Sequence, residues 1–96
     1  MEDYPTAKEL RIIKNWGPWD KNEFPIFMKY IRDHWKYADD GYWEEDGLKY
    51  TLHTAGWSGN EDIINAMRKN YIFWVLYWEQ SNRGGHYIFC PSELRD

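Results

Sequence analysis

The side chains best suited to binding an anion lie in two glycine-containing segments, residues 56–61 and 81–86. In the first segment, Trp57 offers a ring for stacking, and Ser58 precedes Glu61 by three residues, the spacing of a helix capping box. A helix that begins here would present free backbone N–H groups and the positive end of its dipole, which favour a phosphate or carboxylate. Helix capping alone explains the pattern equally well, because acidic side chains already supply negative charge there.

The second segment carries a cationic side chain within a glycine-rich loop. Arg83 stands between small residues, and Gly84 and Gly85 would allow a ligand to approach the backbone closely. A glycine hairpin with a solvated arginine is the alternative, and the pattern supports both interpretations equally. The ligand-binding residues that we predict are Trp57, Ser58, Asn60, Arg83 and His86, with His53 and Tyr87 as further candidates.

Catalytic and metal chemistry receive less support from the residue spacing. The chain has three histidines and one cysteine, and none of them are spaced as HxH, HxxxH or CxxC. The sequence therefore contains no metal-site signature and no nucleophile with an identifiable base. An enzyme would most reasonably use His53 and His86 as acid and base on a phosphate ester. We assign no catalytic residue, no metal ligand and no cofactor, and expect a binding protein rather than an enzyme.

The composition bounds the class of protein. The 96 residues are expected to form a single domain, residues 1–96, whose aromatic content of 20% compensates for its small size. Cys90 is alone, which excludes an internal disulfide and fits a reducing cytoplasm. The N-terminus lacks the pattern of a signal peptide, and an apolar run of eight residues is too short to cross a bilayer. The net charge of -4 argues against non-specific binding to duplex nucleic acid.

Two helices are predicted before the first strand. Thr6 and Glu9 have the spacing of a capping box, which predicts a helix over about residues 6–15. The second helix ends near Gly41 and has apolar residues three and four positions apart, the spacing of one buried helix face. The residues of this face are Phe24, Phe27, Met28, Ile31, Trp35 and Ala38.

A β-hairpin and a third helix are predicted next. Residues 42–45 and 48–54 flank Asp46-Gly47, a dipeptide suited to a two-residue turn. A helix over residues 59–70 follows the hairpin. The residues of the second strand that should face the core are Leu48, Tyr50 and Leu52.

The longest apolar run, at residues 71–78, is predicted to form the centre of the sheet. Its length and its β-forming residues predict a strand over residues 71–79 that is buried on both faces, paired with a strand over residues 86–90. The fold class is α+β in the order α-α-β-β-α-β-β, with helices packed against the sheet. The N-terminal helices cover one face, and the other face needs the third helix, a second copy of the chain or a ligand. Trp74 and Trp78 share one face and are expected to be structural.

The direction of the strands decides whether the two glycine-containing segments meet. If strand 48–54 runs parallel to strand 71–79, its C-terminal end and the loop after the central strand share one edge of the sheet. An antiparallel pairing would separate them by roughly 25 Å. Both pairings are consistent with the sequence, and a composite site requires the first.

Residues 50–90 contain a specific combination of glycine, tryptophan and polar residues. The combination consists of His53-Thr54-Ala55-Gly56-Trp57-Ser58-Gly59-Asn60-Glu61, Ile63-Ile64, Phe73-Trp74, Trp78, Ser81 and Arg83-Gly84-Gly85-His86-Tyr87. It resembles a group of small uncharacterised proteins encoded by bacteriophages and prophages, a group without an established activity. The resemblance implies a protein that acts in the cytoplasm of an infected bacterium, where small phage proteins often bind host or defence components. Residues 1–45 lie outside it.

Three functions are consistent with these residues. A binding protein for an anionic, nucleotide-like small molecule would use the predicted ligand-binding residues. An inhibitor or adaptor of a host defence protein, similar in role to anti-CRISPR proteins, would use exposed tryptophans and acidic residues. A phosphate-ester hydrolase would use the histidines. We expect the first function, with the second as its alternative, and the phage resemblance implies counter-defence as the setting of either.

Overall fold

The computed structural model describes residues 4–20 and 22–94, among which four α-helices pack on a four-stranded antiparallel sheet. This architecture confirms the predicted α+β class. The predicted domain over residues 1–96 also includes residues 1–3, 21, 95 and 96, which lie outside the described residues. The elements are α1 (Ala7–Lys14), α2 (Glu23–Asp33), β1 (Trp43–Asp46), β2 (Lys49–His53), α3 (Ser58–Lys69), α4 (Tyr71–Tyr77), β3 (Trp78–Asn82) and β4 (His86–Phe89), with short 3-10 helices at Ala38–Asp40 and Ser92–Leu94.

The first helix begins with its predicted capping pattern, whereas the second ends earlier than predicted. The backbone N–H of Glu9 donates to Oγ1 of Thr6 over 3.1 Å, and the backbone N–H of Thr6 donates to Oε1 of Glu9 over 2.8 Å, so the predicted capping box is present. α2 ends at Asp33, earlier than the apolar spacing to Ala38 suggested. A helix that continues to Gly41 is excluded by Tyr37, whose φ of 66° is left-handed.

The sheet has the strand order β1-β2-β4-β3, and every neighbouring pair is antiparallel. The first hairpin turns at Gly47-Leu48, one residue later than predicted, because Asp46 pairs with Lys49. Leu48 is therefore 38% exposed in the turn, and the prediction that it faces the core is wrong. The residues of β2 that do face the core as predicted are Tyr50 and Leu52.

The prediction of a central strand over residues 71–79 is wrong. Tyr71–Tyr77 forms helix α4, and of the predicted strand only Trp78 and Glu79 belong to a strand, β3. The side chain of Asn70 caps this helix, since its Oδ1 accepts a hydrogen bond from the backbone N–H of Phe73 over 3.2 Å. Phe73 and Tyr77 are buried four residues apart, the period of a helix. An uninterrupted apolar run shows no such period, so its composition favoured the wrong element.

The hydrophobic core lies between the helices and one face of the sheet. Phe73 of α4 is fully buried, with its ring 5.4 Å from the ring of Phe89 in β4. Trp74 and Trp78 stack with their ring centroids 5.8 Å apart and both remain half-buried at the margin of this core. No helix among residues 4–20 and 22–94 is long and apolar enough to cross a membrane.

Candidate functional site

The C-terminal end of β2 and the loop between β3 and β4 meet at one edge of the sheet. β2 and β3 both pair antiparallel with β4, which lies between them, so β2 and β3 run in the same direction. Their C-terminal ends share an edge, where the backbone N–H of Thr54 donates to the carbonyl oxygen of Gly85 over 3.0 Å. The end of β2 and the loop after β3 therefore lie at the same edge, although β2 is not a direct neighbour of β3. Trp57 and Ser58 do not join them there, so the predicted composite site does not form.

His53 and His86 are cross-strand partners at this edge, with ring centroids 3.4 Å apart and ring planes inclined by 69°. Burial lowers the pKa of His53, the charge of His86 lowers it further, and the carboxylate of Glu44 partly opposes both effects. The Nδ1 atom of His53 is buried and has no hydrogen-bond partner within residues 4–20 and 22–94. At neutral pH His53 is therefore uncharged, and one of its ring nitrogens is unpaired in the described part of the chain.

The loop between β3 and β4 adds a permanent positive charge. Arg83 is exposed, and its guanidinium forms no ion pair or hydrogen bond with any other described residue. Gly85 has a φ of 84°, and a Cβ atom at this position would overlap Oγ1 of Thr54. Only glycine therefore allows the loop to pack this closely on the end of β2. We call His53, Arg83 and His86 the histidine edge.

Trp57 and Ser58 are held by neighbours outside the histidine edge. The Trp57 ring covers Gly59, lies 4.8 Å from the ring of Tyr4 and has the Nζ of Lys36 4.8 Å from its centroid. The Oγ of Ser58 donates a hydrogen bond to the hydroxyl of Tyr4 over 3.4 Å. The predicted capping box at Ser58 is wrong, because Ser58 is the first helical residue and Trp57 occupies the N-cap without a side-chain bond.

Asn60 and Tyr87 cannot reach a ligand at the histidine edge. Asn60 is fully buried, and its Oδ1 accepts from the backbone N–H of Lys36 over 3.0 Å. Its Nδ2 donates to the carbonyl oxygens of Lys36 and Thr54 over 3.1 and 3.4 Å, so the amide ties the chain after α2 to the end of β2. Tyr87 packs against the core from the opposite face of β4 to His86, because successive strand residues alternate in direction. Both predictions are corrected by this placement.

A groove of about 510 Å³ that the sequence did not indicate lies between the start of α1 and the end of α2. Within it, Nε2 of His34 lies 3.3 Å from Oε2 of Glu9. The backbone hydrogen bond from Thr6 lowers the pKa of Glu9, and burial partly opposes this effect. The only sequence signal was the capping box, since the two walls come from separate helices. The lining residues are Tyr4, Pro5, Thr6, Glu9, Asp33, His34, Trp35 and Lys36.

The predicted binding residues therefore divide between two places. Arg83, His86 and His53 form the histidine edge, whereas Trp57 and Ser58 border the groove through their contacts with Tyr4. In the described ranges, 4–20 and 22–94, no three His, Cys, Asp or Glu side chains are grouped so that they could hold a metal ion. The histidine edge can thus offer a ligand one guanidinium and two imidazoles.

Comparison with known proteins gives limited similarity. No protein-family model matches the chain, and no solved structure matches it. A glucose-1-phosphate adenylyltransferase of Acetivibrio thermocellus is 32% identical over 71 residues, which cover 71% of this chain and 16% of that protein. Another glucose-1-phosphate adenylyltransferase, from Geobacillus stearothermophilus, is 24% identical over 102 residues, which cover 98% of this chain and 25% of that protein. The chain thus spans at most a quarter of the length of these curated relatives.

Proposed function

We propose that this chain is a small phage-type accessory protein that binds an anionic, nucleotide-like ligand at the histidine edge and acts in counter-defence. The observation that carries the proposal is the placement of Arg83, His53 and His86 at one sheet edge, where the guanidinium has no acidic partner among the described residues. A guanidinium fork matches the geometry of a phosphate group and binds it through two parallel hydrogen bonds.

The two imidazoles add a contribution that depends on pH. Each positive charge at this edge opposes the next, and the charge of His86 lowers the pKa of His53. A bound anion offsets this repulsion, because it interacts favourably with the protonated ring of His53. Ligand affinity should therefore rise as the pH falls below about 6.5, the ordinary pKa of histidine.

Two similarities support the ligand class and the setting. The names of the two curated relatives refer to a sugar phosphate and to an adenylyl group, both of which carry phosphate. The resemblance to small phage proteins supports the cytoplasm of an infected bacterium as the place of action.

Hydrolysis of a phosphate ester receives no comparable support. A general acid and a general base that cleave a phosphate ester must both reach the reacting group from different sides. The rings of His53 and His86 are in contact at a centroid distance of 3.4 Å, which leaves no space for a phosphate group between them. We therefore propose binding without turnover.

Inhibition of a host defence protein by direct contact is the second candidate function. It is favoured by α4, which exposes large apolar side chains of the kind that protein interfaces bury. The two candidates make different demands on Arg83, because a ligand site needs its charge and a contact through α4 does not.

Isothermal titration with ATP, AMP, a cyclic dinucleotide and inorganic phosphate tests the proposal. At least one of these anions should bind the wild-type chain, and Arg83→Gln should weaken that binding about tenfold, equivalent to about 1.4 kcal/mol. Arg11→Gln is the matched control, because Arg11 is also exposed but lies on α1. Equal affinity of the two variants would refute the site, and binding of none of the four probes would favour the second candidate.

A further inference from the structure

Helix α4 has one buried face and one exposed apolar face. Its exposed residues occur in two adjacent pairs, four residues apart, and therefore form a single stripe. The run YIFWVLY contains no charged side chain. Large exposed apolar patches are uncommon on monomers and mark interaction sites. The exposed residues and their exposed fractions are Tyr71 at 75%, Ile72 at 60%, Val75 at 59% and Leu76 at 40%.

The stripe is symmetric about its own midpoint, between residues 73 and 74. If a second copy of α4 is placed antiparallel across a two-fold axis at this point, Tyr71 lies level with Leu76 of the second copy, and Ile72 lies level with its Val75. Every level pair is apolar. A surface that pairs with itself in this way satisfies the requirement of a two-fold interface, in which both copies use the same patch.

A groove next to Leu76 can receive the most exposed residue of the stripe. It has a volume of about 270 Å³ and lies at the C-terminal end of α4. In the antiparallel arrangement, the Tyr71 ring of the second copy reaches this end, since residues 71 and 76 are about 7.5 Å apart along the helix. The groove has apolar walls and two carboxylates that can accept from the tyrosine hydroxyl. Its lining residues are Trp19, Asp20, Phe24, Leu48, Leu76, Tyr77, Pro91, Ser92 and Glu93.

The charges around the two ends of α4 favour the same orientation. Arg68 and Lys69 are exposed at the end of α3, immediately before α4. Glu93 and Asp20 line the groove at the other end. Burial raises the pKa of Tyr77 there, and the charges of Glu93 and Asp20 raise it further. An antiparallel pair brings the basic end of each copy against the acidic end of the other, whereas a parallel pair brings like charges together.

We propose that two copies of this chain form a two-fold dimer through α4, with the helices antiparallel and Tyr71 of each copy in the groove beside Leu76 of the other. The stripe supplies on the order of 400 Å² of apolar surface per copy, about half of what a standard interface buries on each side. The groove and the charged ends supply the remainder. The proposal is independent of the ligand at the histidine edge.

Sedimentation equilibrium of the full chain measures the association directly. Protein concentrations from about 1 to about 100 µM cover a dissociation constant in the micromolar range. The wild-type chain should reach twice its mass of 11.8 kDa. Val75→Glu should weaken the dimer at least a hundredfold, because the carboxylate of each copy is then buried against the apolar Ile72 of the other. Ile26→Glu is the matched control, since Ile26 is a 55% exposed isoleucine on α2 and should leave the dimer intact.

A charge exchange tests the orientation of the helices. Lys69→Glu and Glu93→Lys should each weaken the dimer several-fold, and the double variant should restore it, because the pair then meets with reversed signs. Circular dichroism melting of every variant shows whether the chain still folds. A wild-type chain that stays monomeric overturns the proposal and leaves α4 to a different protein. A dimer that Val75→Glu does not weaken, or a double variant without restoration, overturns it as well.

Discussion

The histidine edge and the exposed face of α4 are two candidate binding surfaces built in opposite ways. The edge joins residues from position 53 and from positions 83–86, and what it offers a ligand is charge. The α4 face consists of neighbouring residues on one short helix, and what it offers is apolar area without charge. Binding at the edge should therefore depend on pH and salt, whereas association through α4 should depend mainly on buried apolar surface.

The largest expected effect separates the two faces of α4. Phe73→Ala should lower the free energy of unfolding by about 3–5 kcal/mol, because it leaves a cavity where a fully buried ring had packed. Ile72→Ala should change it by less than about 0.5 kcal/mol in the monomer, since Ile72 is 60% exposed. Urea denaturation at low protein concentration measures both values. Equal losses would show that α4 packs through another face, and the proposed dimer would then lose its surface.

The next effect concerns the glycines of the histidine edge. Gly85→Ala should cost about 2–4 kcal/mol, because the added Cβ meets Thr54 and the backbone has a positive φ. Gly84→Ala is the matched control at a φ of 88° and without an overlapping neighbour, so it should cost only about 1–2 kcal/mol.

The same two variants distinguish the two surfaces. Gly85→Ala should also abolish anion binding, since the loop moves away from β2, while dimerisation through α4 persists. Joint loss of anion binding and dimerisation in a folded Gly85→Ala chain would show that the two surfaces are not independent.

The sequence predicted those parts of the fold whose pattern is local. The capping box of Thr6 and Glu9 and the inward alternation of Tyr50 and Leu52 are both present, because each depends on neighbouring residues alone. The prediction of a strand over residues 71–79 was wrong because the burial of this run is decided by tertiary contacts, among them those of the Asn70 side chain. That side chain caps α4 and also donates to the carbonyl oxygen of Ile13, a contact that no local pattern contains.

The candidate site was predicted in the same uneven way. Arg83, His86 and His53 have side chains suited to an anion, and the strand directions bring their positions to one edge. Asn60 has equally suitable chemistry for a ligand, but it is fully buried and bonded to the backbone of Lys36. Residue type alone cannot distinguish an amide that faces a ligand from one that satisfies buried backbone groups, because both need the same donors and acceptors.

The smallest expected effect is on the pH dependence of stability, and its sign follows from His53. The pKa of His53 is lowered in the folded chain, so below about pH 6.5 the unfolded chain binds the proton more readily. The stability associated with this group is fully present above that pH and is lost as the pH falls toward the folded pKa. Glu9 does not contribute in this window, because its pKa is lowered from an ordinary value of 4.5, which already lies below it.

Thermal melts at pH 7.5 and 5.5 measure this effect, and the dimerisation constant at the same two pH values compares the pH dependence of the two surfaces. The wild-type chain should melt at a lower temperature at pH 5.5, and His53→Gln should reduce that difference. A bound anion should reduce it too, because the anion stabilises the protonated ring of His53, which the free edge disfavours. The dimerisation constant should change less than about twofold over the same interval, since what the stripe on α4 offers a second copy is apolar area. The contrary result is a dimerisation constant and a melting temperature that both fall at pH 5.5, with a smaller fall of both in His53→Gln. That result would place a histidine of the edge within the α4 interface.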